Sequence, residues 1–272
     1  MIKDTKLTDT QALERHRARA VAGELFLQES AADEVQDRLT LVNRAFTVPA
    51  VVTPFPDLWR KHMPGAHIVR DAETLDLEVG AHDLVIHAMS LHWANDPVGQ
   101  LIQCRRSMKP DGLMIAATLG GQTLQELRNC LGDAEIALTG GLSPRIAPMG
   151  EIRDLGALLQ RAGFALPVAD SVTLRAQYRD AFHLMRDLRN MGETNALEQR
   201  RRVTPPRALF ERMAAIYAEN YATQADQVIA TFEMVFLTGW AASDTQQKPL
   251  RPGSAKQRLA DALRVPEQPL RD

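Results

Sequence analysis

His92 and Trp93 stand just after an apolar run, Leu84 to Met89, that Asp83 precedes. An imidazole at such a strand end could serve as a general base, and the indole beside it could cover the ring of a ligand. The same residues admit a plainer reading, with His92 a surface turn residue and Trp93 packed under the following helix. Arg128 and Arg145 offer guanidinium forks that could hold a carboxylate or a protein backbone. They could equally pair with Glu126, Asp133 or Glu135. Gly120-Gly121 ends a second apolar run, where the absence of Cβ lets the chain turn beside a cleft, and Thr123 is placed to cap the next helix. Ser143 and Arg145 lie in the Gly140 to Pro148 stretch, a loop of the kind that carries binding residues on a rigid scaffold.

These side chains need a framework, and the hydropathy pattern supplies one. Val48 to Val52, Ala66 to Val69, Leu84 to Met89 and Leu113 to Leu119 are short apolar runs separated by helical stretches, and Val98 to Met108 is the best-patterned crossover helix. Pro110-Asp111-Gly112 reads as the turn that launches the fourth run. Beyond it come a helix from Thr123, a helix from Glu151 ended by Gly163, a strand over Val168 to Gln177, helices over Phe182 to Arg189 and Ala208 to Tyr221, and a β-rich run from Val228 to Leu237. Leu184, Leu188 and Met191 share one helical stripe, a pattern that belongs to a core more often than to a partner surface. Alternation of this kind calls for a doubly wound sheet, whose ligands sit at the carboxyl ends of the strands near the topological switch point. The Ser90 to Pro97 turn is therefore where chemistry is expected. Residues 7–45 read as two helices in front of the sheet, so the chain divides into an N-terminal helical segment (1–45), an α/β domain (46–242) and a flexible tail (243–272).

Composition narrows the function classes. The chain has 272 residues and a formal net charge of -2, with no basic stripe interleaved with aromatics, which gives no reason to expect nucleic acid. Cys104 and Cys130 lie in helix-like segments without ligand-type neighbours, so neither a disulfide framework nor a metal site is expected and the compartment reads as reducing. No apolar run approaches the roughly 20 residues of a membrane span. Acidic residues among the basic ones at the N-terminus, and the lack of an apolar h-region, argue against secretion.

The strand after Asp83 with its Leu91-His92-Trp93-Ala94-Asn95-Asp96 turn resembles the fourth strand of class I S-adenosylmethionine-dependent methyltransferases. Gly120 to Arg128, Gly140 to Pro148, Asp154-Leu155-Gly156, Arg161 to Phe164 and Met185 to Asn195 narrow the resemblance to the assembly factor 5 family of mitochondrial respiratory complex I and its bacterial relatives. That branch is close to the malonyl-carrier-protein methyltransferase of biotin synthesis. The resemblance implies a Rossmann-like α/β sheet with N-terminal helices and an added C-terminal helical and β part. It implies S-adenosylmethionine as cofactor, held by Thr53, Asp71, Glu73, Ser90, Leu91 and His92, and a protein partner met by Trp93, Gly121, Arg128, Ser143 and Arg145. Asp71 and Glu73 could also be no more than solvated loop carboxylates.

One part of the family pattern is absent. Where relatives begin a strand ending in an Asp-x-Gly-x-Gly-x-Gly loop, this chain runs Thr47 to Trp59, and no glycine occurs between Gly23 and Gly65. Pro54-x-Pro56-x-Leu58 resembles the turn after the family's second strand, with neutral Thr53 at the position of the acidic ribose ligand. Deletion of one strand-helix unit accounts for both facts. The Val48 to Val52 strand should then lie beside Leu84 to Met89, with Ala66 to Val69 on its other side. Two functions follow from the resemblance: a methyltransferase-family protein acting on a protein substrate in complex I assembly, or a non-catalytic assembly factor with a decayed cofactor pocket. The expected partner is a subunit of the respiratory NADH dehydrogenase, contacted by Arg145 as a surface residue. The expected location is cytoplasmic, peripheral to the inner membrane.

Overall fold

In the computed structural model, which describes residues 6–246, the chain runs α1 (Thr10–Arg17), α2 (Phe26–Leu41), β1 (Pro49–Val52), α3 (Pro56–His62), β2 (His67–Val69), β3 (His82–Ala88), α4 (Pro97–Ser107), β4 (Met108–Leu119), α5 (Gln125–Thr139), α6 (Ile152–Ala162), β5 (Ala165–Tyr178), α7 (Ala181–Asn190), α8 (Arg207–Tyr221) and β6 (Val228–Trp240). Side-chain oxygens start several of the helices: Asp9, Asp96 and Asp180 accept from the backbone N–H of Ala12, Gly99 and His183, each satisfying a donor that the first helical turn leaves open. Gly163, at φ 81°, closes α6 in the left-handed conformation that its sequence position suggests. The expected tail at 243–272 lies outside the described residues from position 247 on.

The strands form one six-stranded sheet in the order β2-β1-β3-β4-β6-β5. β2, β1, β3 and β4 are mutually parallel, and β6 joins β4 and β5 antiparallel. Val51 lies opposite Ile86 on one side and Ile68 on the other. The strand that precedes α3 thus lies between β2 and β3, the neighbours expected if a strand-helix unit is missing, though one place in from the sheet edge rather than at its centre. Side chains alternate between two apolar layers, as a two-residue period dictates. Leu113, Ile115, Ala117 and Leu119 of β4 face the layer built with α2, α5, α7 and α8. Met114 and Ala116 face the layer built with α4 and α6. Ala31, Ala32 and Val35 bring α2 into the first layer, and Phe26 meets Phe232 of β6 edge to face, ring centroids 5.6 Å apart.

Two local readings need correction. Pro110-Asp111-Gly112 is a bulge inside β4 rather than a turn before it: Met108 faces His82 and Leu113 already faces Leu84, with Asp111 at φ 61°. Thr123 does not cap α5. Its hydroxyl donates to Glu233 O at 3.3 Å and accepts from Glu233 N at 3.1 Å, because β6 passes alongside with an N–H and a C=O to satisfy. Leu124, at φ 54°, turns the chain into the helix instead.

Asp83 anchors the amino end of the central strands. It accepts from Thr47 N at 2.7 Å, Thr47 Oγ1 at 2.8 Å and Val48 N at 2.9 Å. Burial works against its charge, yet these donors hold the carboxyl below its ordinary pKa. Replacing Asp83 with Ala leaves two backbone donors at the start of β1 without an acceptor, and is expected to cost about 1–3 kcal/mol, read as a lowered urea midpoint at unchanged m-value. An unchanged midpoint would remove the anchor.

Candidate functional site

From β1 the chain passes to β2 on one side, whereas β3 hands on to β4 on the other, so its travel across the sheet reverses between β1 and β3. The carboxyl ends of those strands border the crevice where doubly wound sheets bind ligands. Thr53 ends β1 there, buried, its N–H donating to Val69 O at 2.9 Å and its Oγ1 accepting from Phe55 N at 3.0 Å. The hydroxyl thus supports the turn into α3 with one lone pair and keeps its own O–H to donate. Met89, at φ 48°, bends the chain out of β3 and leaves the Ser90 hydroxyl buried with no partner. Leu91 packs into the apolar layer under α4.

Behind them, His87 meets Gln100 Oε1 through Nε2 at 2.6 Å, and Gln100 Nε2 donates to Ala72 O at 3.1 Å. With Gln100 oriented this way, His87 Nε2 is the donor and Nδ1 carries the lone pair. Burial pushes this imidazole below its ordinary pKa and keeps it neutral.

A residue that no motif marks completes the crevice. Arg17, at the end of α1, places Nη1 2.6 Å from Asp71 Oδ2, with side-chain exposures of only 10% and 15%. Asp71 is therefore not a solvated loop carboxylate. Glu73 is one, exposed and 3.4 Å from Lys6. Gly192, at φ 78°, faces Arg17 so closely that a Cβ would sit 3.0 Å from the Arg17 Cα, which explains a glycine there.

Neither plain reading of His92 and Trp93 holds. The His92 side chain is 2% exposed, with Nε2 3.3 Å from Glu193 Oε2. Trp93 Nε1 donates to the same oxygen at 2.6 Å, and its ring packs beside Ala12, Leu13, Ala147 and Leu197 rather than under α4. Burial would raise the Glu193 pKa, but the His92 contact, the Arg17 charge and the Trp93 donor lower it overall. Glu193 is thus a buried, ionised carboxylate. Its sequence signal was the polar Gly192-Glu193-Thr194-Asn195 break after the α7 stripe, whose Leu184, Leu188 and Met191 are core.

Of the expected partner residues, Trp93 and Arg145 line a neighbouring cavity. About 230 Å³ in volume, it opens at the carboxyl end of β4 and is walled mainly by apolar side chains of α5, α7 and α8, including Leu124, Leu127, Met185 and Phe210, with Trp93, Glu193 and Asn195 on its polar side. Gly121 turns against the loop, its N–H on Gly150 O at 3.1 Å. Arg128 donates inward to the carbonyls of Gly121 and Thr123. Ser143 N donates to Glu135 Oε2 at 3.0 Å, and Arg145 forks onto the same carboxylate at 3.1 and 2.6 Å. Arg145 is therefore committed to a largely buried partner, 3% exposed, and corrects the expectation of a free surface anchor. Beside the Arg145 guanidinium, the Glu135 carboxyl is held down at about 2.

These residues do not fit S-adenosylmethionine as the chain stands. The Asp71 carboxylate is already paired with Arg17, Thr53 brings no charge, and no glycine lies between Gly23 and Gly65 to form the turn after β1.

Comparison with known proteins agrees with this architecture. The methyltransferase domain family matches residues 47–116. The arginine-hydroxylase NDUFAF5 of Danio rerio is 34% identical over 92% of this chain and 71% of its own length. That of Dictyostelium discoideum is 41% identical over 66% of this chain and 41% of its own length. A malonyl-[acyl-carrier protein] O-methyltransferase of Laribacter hongkongensis is 32% identical over 69% of this chain and 61% of its own length. The chain belongs to the NDUFAF5 family of methyltransferase-fold proteins.

The Glu135–Arg145 pair makes a testable contribution to stability. A depressed carboxylate stabilises the fold fully above its ordinary 4.5 and loses that contribution as pH falls toward about 2. Arg145→Ala should destabilise by about 2–3 kcal/mol at neutral pH and flatten the acid limb of stability between those values. Equal acid limbs in the two proteins would show that the pair contributes nothing.

Proposed function

We propose that the protein acts in assembly of the respiratory NADH dehydrogenase, engaging a segment of one of its subunits at the apolar cavity above β4, with S-adenosylmethionine bound weakly. One observation carries the reading: the cavity keeps its apolar walls and an ionised Glu193, while the adjoining crevice has its Asp71 carboxylate already paired with Arg17. An apolar pocket with a few convergent polar groups is the usual form of a binding site. Among the described residues no helix is long and apolar enough to cross a membrane. Under this reading the protein works from the cytoplasmic side, peripheral to the inner membrane that carries its partner.

The enzyme reading rests on a separate observation. Glu193 lines the cavity wall with His92 held behind it, and a buried carboxylate there favours a cationic side chain of the bound segment. The activity for which the relatives are named, arginine hydroxylation, concerns such a side chain, and the fold is that of methyl transfer.

Two measurements test the proposal. Deleting the gene should lower assembled, active NADH dehydrogenase, and normal activity would sink the partner assignment; a methylated or hydroxylated side chain lost with the gene would establish catalysis. In calorimetric titration, loss of about two charge-assisted hydrogen bonds of a glycine loop should cost S-adenosylmethionine on the order of 2–4 kcal/mol. A submicromolar Kd would contradict that.

A further inference from the structure

Arg17 of this chain's own α1 pairs with Asp71 beside the carboxyl ends of the parallel strands. Its seat is built from both sides. Thr8 N donates to Asn95 Oδ1 at 2.9 Å while Asn95 Nδ2 returns a bond to Thr8 O at 3.2 Å, tying the start of the segment to the turn after β3. Asp9 N donates to Ala196 O at 2.8 Å, and Val21 N to Asn190 O at 2.8 Å, which pins α1 against the segment carrying Gly192 and Glu193. Between these ties Arg17 reaches Asp71 at 2.6 Å.

The pairing is incomplete in a telling way. Arg17 Nη1 has its carboxylate, but Nε and Nη2 are buried without an acceptor, and the Ser90 hydroxyl and the His87 Nδ1 lone pair at the same strand end are buried without a partner. Nε and Nη2 form the edge of a guanidinium that takes a carboxylate in bidentate fashion. A group optimised as a structural ion pair would have that edge satisfied, because stranded buried donors are costly. These orphans mark a polar crevice meant for other contacts, into which the arginine has been drawn by Asp71 and held by the ties at either end of α1.

We infer that Arg17 is a self-supplied, displaceable occupant of the switch-point crevice, competing there with any nucleoside ligand for Asp71. Closure is an equilibrium in this account. An external ligand binds only to the fraction of molecules with α1 lifted, so its apparent affinity is reduced by that fraction.

The test uses the full chain with S-adenosylhomocysteine and adenosine as probes. Arg17→Ala should bind S-adenosylhomocysteine about tenfold tighter or more than the wild type, because the competing state is gone. Affinity that is unchanged or lower in Arg17→Ala overturns the inference, as does failure of either probe to bind that variant. Should Arg17→Ala not fold, Asp71→Asn decides by hydrogen exchange. Amides of residues 10–17 should then exchange about tenfold faster or more while those of β3 keep their protection, since local opening is read residue by residue. Unchanged α1 protection would show that the pair does not hold the segment down. A negative outcome here leaves the assembly role standing, because gene deletion reads that role independently.

Discussion

A parallel strand buried on both faces has no solvent for its backbone groups, so it must find a hydrogen-bonded neighbour along each edge. β3 is such a strand, with all seven residues buried. One edge belongs to β4. The other has to be filled by whatever strand the chain can bring, and in this sequence that is β1, only four residues long. The constraint puts β1 in that place, and Asp83 fixes it there by holding Thr47 and Val48. That strand carries Thr53 and a Pro-x-Pro turn, not glycines, to the carboxyl end of the sheet.

The polar groups around the crevice then need partners from elsewhere. Asp71 takes a guanidinium from α1, and Glu193 takes the imidazole of His92 and the indole N–H of Trp93. Buried charges add little net stability compared with apolar packing, but an unmatched one is strongly destabilising. These contacts therefore act more as specifiers than as glue: they decide where α1 sits and how the turn after β3 meets the segment after α7. The stability comes from the two apolar layers on either side of the sheet.

Legibility from the sequence follows the range of the interaction. Strands β1 to β4, the crossover helix α4, the Gly163 stop and the missing glycine loop are local patterns, and local patterns can be read. Arg17 and Asp71 are far apart in the chain, as are Trp93 and Glu193. Nothing in Arg15-His16-Arg17-Ala18-Arg19 distinguishes the arginine that turns inward. Thr123 carries a cap's side chain but spends it on β6, because a backbone partner from over a hundred residues away is closer than the helix it precedes. Arg145 has the right spacing to reach Glu135, yet the sequence weighs that pair no differently from a pair with Asp133 or an outward fork. Three-dimensional burial settles it.

The two candidate sites rest on different parts of the scaffold, and this separation matters for how such a protein works. The crevice depends on the ends of β1 and β3. The cavity depends on β4, β6 and the helices α5, α7 and α8. A doubly wound fold can thus vary one set of strand ends without disturbing a cavity built on others. His92, Trp93 and Glu193 are the point where the two meet, since Trp93 and Glu193 line the cavity and the charge of Arg17 helps keep Glu193 ionised. Moving α1 would therefore alter the field at the cavity wall as well as the room in the crevice, so the two sites are electrostatically linked even though different strands build them.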